Sequence, residues 1–145
     1  MPTAAEQSAY HELMAWSLTL GDGEFIHQEV VDAWAAQHAT ETSTPINIVF
    51  ALLGLYLYLE KGFCGRQVQR AHMQLAQPNG RGPGRKEWPR FPLPQARGAV
   101  TAIDVIAAPE AERVPAVHRW CQSVWDAWSD SHSAIAAWVH SDLGV

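Results

Sequence analysis

Cysteine is nearly absent: Cys64 and Cys121 are the only two in 145 residues. A pair so far apart is neither a zinc knuckle nor a disulfide framework. Cys121, in an apolar stretch, reads as a small hydrophobe. Charge is scarce as well. Only 17% of the residues are Asp, Glu, Lys or Arg, below the usual quarter. The net charge of −5 argues against a nucleic-acid binder, which is normally basic. No apolar run reaches the roughly 20 residues of a membrane span. The longest, Ile46 to Leu59, contains Asn47 and reads as a buried helix. Met1 to Glu6 has no basic patch and no apolar core, so export is not expected and a cytoplasmic location is. The phosphate-cradling loop, the dinucleotide glycine motif and the nucleophile elbow are all missing. No two histidines stand four apart, which removes the helical zinc pattern. Neither an internal repeat nor a convincing strand pair is visible.

What is present is helical periodicity. Residues 1–145 suit a single domain, and one of this size needs no metal or disulfide merely to fold. Thr3-Ala4-Ala5-Glu6 has the form of a capping box, with Tyr10, Leu13, Met14, Ser17 and Leu18 following at helical spacing. A second helix is expected from Glu24 to His38, with Asp22 as its N-cap. Thr44-Pro45 opens a third, apolar nearly all round and so central, ending near Lys61. A fourth spans Cys64 to Gln77. Residues 78–98 then carry five prolines and four glycines, too many for a regular element, yet Trp88, Phe91 and Leu93 should pack onto the body. Thr101 to Asp104 caps a short helix ending near Ala108. The last helix is expected to run unbroken from Pro115 to His140, with Cys121, Trp125, Trp128, His132, Ala136 and Val139 on one stripe. The sum is an all-α bundle of four long helices and one or two short ones, with a long irregular crossover.

The chemistry-bearing residues are histidines and carboxylates on apolar helices. A buried imidazole must satisfy its ring nitrogens, through a backbone carbonyl, a carboxylate or a metal. His27 and His38 are eleven apart and so roughly 16 Å along one helix. They cannot share an ion. A metal site would therefore draw on different helices: His27, His132 and His11, with Asp32 as ligand or as orienter of a histidine. One divalent ion (Zn, Ni or Fe) with an open position would allow hydrolytic or transfer chemistry. Glu24 and His27 have the Glu-Xaa-Xaa-His spacing of di-iron bundles, which need two such motifs. Gln37 and His38 would stand behind the ligands. The alternative is a non-enzymatic interaction module or binder of a small anion. Eight of the ten Lys and Arg lie between Lys61 and Arg97, and Arg66, Arg70, His72 and Trp88 would form that site. Seven tryptophans suggest a homodimer interface.

Several strings carry a resemblance. They are Phe25 to Gln28, Val31-Asp32-Ala33-Trp34-Ala35-Ala36-Gln37-His38, Gly54 to Leu57, Gly65 to Met73 and Ser123 to Trp128. Together they resemble the bacterial domain-of-unknown-function family 5946, over nearly the whole chain. The resemblance implies a small cytoplasmic helical protein and carries no catalytic residue across. Its polar motif positions are His27, Asp32, Gln37, His38 and His72.

Overall fold

The computed structural model describes residues 2–76 and 88–145. Among these residues there are seven α-helices, two short 3-10 turns and no strand, an all-α fold. The caps read at Thr3, Thr44 and Thr101 form as expected, and the fourth helix adds one at Cys64. In α1 (Ala4–Thr19) the Thr3 hydroxyl accepts from the Glu6 amide at 3.1 Å, and the Glu6 carboxylate accepts from the Thr3 amide at 3.2 Å. α3 (Pro45–Glu60) opens with proline, and the Thr44 hydroxyl caps the Asn47 amide at 3.3 Å. In α4 (Gly65–Leu75) the Gln67 side chain accepts from the Cys64 amide at 2.9 Å. In α5 (Ala102–Ala107) Asp104 does the same for Thr101, also at 2.9 Å. Phe91 and Leu93 pack against the core, as expected for that half of the crossover. The residues from 78 to 87 lie outside the described set.

Two elements differ from the sequence reading. α2 (His27–Gln37) begins three residues later than Glu24. Asp22 does cap, its Oδ2 accepting from the Ile26 amide at 2.9 Å, but it caps a turn ahead of the helix. In that turn Phe25 takes a left-handed φ of 59°. Glu24 is therefore off the helix, and its spacing to His27 is not a helical one. The last helix is divided: α6 (Arg113–Ala127), a 3-10 turn (Ser129–Ser131) and α7 (His132–Leu143). Trp128 leaves helical geometry at ψ 18° to send its indole N–H to the Ala36 carbonyl of α2 at 3.2 Å.

α2 packs against α1, α3, α4 and α6, so its side chains sit at the centre of the molecule. Trp120, Trp125 and Trp128 are wholly buried, which leaves Trp16, Trp34, Trp88 and Trp138 half-buried to serve any interface. No described helix is long and apolar enough to cross a membrane.

Gln37 and Arg97 fasten the crossover to the end of α2. The Gln37 amide donates to the carbonyls of Arg97 at 3.0 Å and Val100 at 2.8 Å, and its oxygen accepts from the Trp120 indole at 2.8 Å. Arg97 returns Nη1 bonds to the carbonyls of Gln37 at 3.1 Å and Ala39 at 2.7 Å, while its Nε binds the Pro94 carbonyl at 2.8 Å. A guanidinium thus closes carbonyls that a helix end leaves open. Lysine has no such fork. Arg97→Lys is expected to lower the unfolding free energy by about 2 kcal/mol, the value of charged hydrogen bonds in this setting. A urea midpoint equal to that of the parent would show that water satisfies these carbonyls equally well.

Candidate functional site

A cavity of about 440 Å³ opens between α2, α3 and α4. α2 supplies Gln28, Asp32, Trp34 and His38, α3 supplies Asn47 and Phe50, and α4 supplies His72. Asp32 is the best-shielded polar member, only 4% exposed. Its Oδ1 accepts from the Gln28 amide one turn earlier at 3.1 Å. Its other oxygen fits over α3 because residue 54 is glycine. A Cβ there would collide with Asp32 Oδ2 and stand 2.7 Å from its Cγ. Burial pushes the Asp32 carboxyl well above the carboxylate range; the Gln28 bond opposes this and the neighbouring Glu29 adds to it.

His72 faces the same cavity with a defined tautomer. A carbonyl can only accept, so the 3.0 Å contact between His72 Nε2 and the Phe50 oxygen is a donation from Nε2–H. Nδ1 is left with its lone pair. The ring lies on Phe50, with centroids 4.7 Å apart and planes 12° apart. Burial lowers the His72 pKa, which keeps the ring neutral. His38 also borders the cavity. Its Nε2 is buried without a hydrogen bond among the described residues and lies 3.7 Å from Glu6 Oε2. Burial lowers its pKa and the Glu6 charge works the other way. Trp34 is held between Tyr10, stacked at 4.2 Å, and the His38 ring at 4.1 Å. The cavity thus joins a buried acid whose neutral form burial favours, an imidazole with a free lone pair and rigidly backed aromatic walls.

The other candidates are dispersed. His27 Nδ1 is 2.8 Å from the Ser17 hydroxyl, which itself donates to the Met14 carbonyl at 3.0 Å. Burial lowers the His27 pKa. His132 donates from Nε2 to the Trp125 carbonyl at 2.8 Å and stacks on the Trp125 ring at 3.9 Å, closing the end of α6. His11 is exposed on α1. Among the described residues no three His, Cys, Asp or Glu side chains are placed to hold a metal, so the geometry does not gather His27, His132, His11 and Asp32 around one point. Gln37 is occupied by its three bonds to the crossover and α6. Arg66 lies over the Phe25 ring at 4.4 Å and bonds Gln69 at 3.2 Å, while its amide binds the Glu24 carbonyl at 3.0 Å. It holds the turn before α2. Arg70 is exposed. Trp88 sets its edge against Phe50 at 5.6 Å, behind the cavity wall.

Glu29 is a buried acid that the sequence pattern does not single out. It is 4% exposed. Its Oε2 is buried without a hydrogen bond among the described residues and lies 3.9 Å from His118 Nε2. Burial raises its carboxyl to about 8, against the pull of a Tyr58 hydrogen bond and helped by the charges of Glu24 and Asp22. The available signal was its position three residues before Asp32, which puts both acids on one side of α2.

The model of a family of unknown function, DUF5946, matches residues 4–129. No curated protein and no solved structure matches the chain.

Proposed function

Since the chain belongs to DUF5946, a family of unknown function, we propose its role from the cavity itself: it is a small-molecule-binding domain whose pocket carries its own acid and base. One observation supports this above the rest. Asp32, His38 and His72, from two helices, border a single cavity of about 440 Å³. That volume lies in the range of ligand pockets, and shifted titratable groups gather at functional sites. In its neutral form, which burial favours, Asp32 can donate a proton, and His72 Nδ1 can accept one, which is the pairing proton-transfer chemistry uses. The divalent metal expected at His27, His132 and His11 draws no comparable support, because His27 and His132 are already engaged with Ser17 and the Trp125 carbonyl. An anionic ligand draws less support as well, since no lysine or arginine is among the described residues lining the cavity.

Screening small polar aromatic fragments against the ¹⁵N-labelled protein tests the proposal. Binders should shift the amides of Asp32, Asn47, Phe50 and His72. They should lose at least about tenfold in affinity in Ala35→Phe, which fills the cavity with a ring while leaving Asp32 in place. Binders that ignore Ala35→Phe, or that map instead to the cleft between Phe91 and Trp138, would sink it.

A further inference from the structure

Asp32 raises a question of charge balance. Its side chain lines the cavity while remaining 4% exposed. Its only hydrogen bond among the described residues is the one from Gln28 to Oδ1, and no described lysine, arginine or histidine forms an ion pair with it. A buried acid without a cation costs stability that an amide of the same shape would not. None of the titratable groups around it is a cation paired with it. Glu29 on the same helix is an acid, Tyr10 of α1 and Cys121 of α6 are neutral or anionic, and the cavity histidines His38 and His72 are both pushed toward their neutral forms. Val31, Ile48, Ala51, Trp34 and Phe50 make the apolar part of the wall, and Gln28, Ser43 and Asn47 add neutral polar groups.

We propose that the cavity takes a small organic amine, whose ammonium meets Asp32 and whose apolar body lies against Trp34, Phe50 and Ile48. This rests on the pocket reading above and names its ligand class. A carboxylate lining an aromatic-walled cavity is a chemically suited host for an ammonium group, through the ion pair and through the attraction of ring faces for a cation. The complex holds R-NH₃⁺ against the Asp32 carboxylate, and a proton that Asp32 carries at rest leaves to solvent.

Three probes of one shape test this by calorimetry and amide shifts: benzylamine, benzyl alcohol and benzoate. Benzylamine should bind most tightly. Asp32→Asn should weaken benzylamine at least about tenfold, as truncating one partner of a buried pair does, and leave benzyl alcohol unchanged. If Asp32→Asn does not fold, the ranking of the three probes on the parent protein decides alone. Benzyl alcohol or benzoate binding in the cavity as tightly as benzylamine overturns the amine assignment and leaves the pocket standing. Failure of all three to perturb the cavity amides overturns both.

Discussion

Glu29→Gln is expected to stabilise the protein, and to do so more as the pH rises. An ordinary glutamate titrates near 4.5, and in the folded chain Glu29 is raised to about 8. Between those two values the folded state holds a proton that the unfolded state has lost. Unfolding is then favoured by each increase in pH, so stability falls from about pH 4.5 to about pH 8 and levels off above. Linkage puts the full loss on the order of 3–5 kcal/mol, a large share of the roughly 5–15 kcal/mol that a domain possesses. Glutamine keeps an oxygen for Tyr58 and has no proton to lose. Urea unfolding at pH 4.5 should give similar stabilities for the two proteins, and at pH 8 the variant should lead by several kcal/mol. Parallel pH profiles would mean that Glu29 reaches water in the folded state.

The second large effect is expected at Gly54. Gly54→Ala places a methyl group where Asp32 Oδ2 now lies, with Val68 Cγ1 a further 3.3 Å neighbour. Asp32 cannot swing aside freely, because α2 is enclosed by four other helices and Gln28 holds Oδ1. Overpacking of this kind costs about 1–3 kcal/mol and sometimes more; the collision with a buried acid puts this case at about 3 kcal/mol or above. The severe part of the clash is with Asp32 alone, so it is testable by a cycle. In an Asp32→Ala background the same Gly54→Ala change should cost under about 1 kcal/mol, leaving a coupling energy of about 2 kcal/mol. Additive costs would show that the strain falls on the α2–α3 backbone and not on the Asp32 side chain.

Helix starts were legible wherever a side chain close in sequence makes the cap. Thr3, Thr44 and Thr101 each act within three residues, so the pattern and the bond are the same fact. The start of α2 was not, because Phe25 sits in a left-handed conformation that phenylalanine rarely adopts. That turn is held from outside by Gly65, where a Cβ would collide with the Phe25 carbonyl, and by Arg66. The break at Trp128 was hidden for a similar reason. Trp125, Trp128 and His132 are spaced as a continuous helix would space them, and only the distant Ala36 carbonyl explains why Trp128 turns away. Of the candidate site, Asp32, His38 and His72 could be picked out as polar residues on apolar helices. Their grouping could not, since it depends on how α2, α3 and α4 are rotated about their axes. The same rotation separates His27, His132 and His11, and it turns Glu29 inward.

The three-residue turn between α6 and α7 sets the phase of the chain's last helix. Each residue of an α-helix advances the side chains by about 100°, so the length of the turn decides which edge of α7 looks inward. As built, Ile135 and Val139 are buried while Ser133 and His140 face water. Shortening Ser129–Ser131 by one residue would turn α7 out of step and carry Ile135 and Val139 toward solvent. Deleting one of these exposed-looking polar residues is therefore a change of the core, although Ser129 and Asp130 themselves lie at the surface.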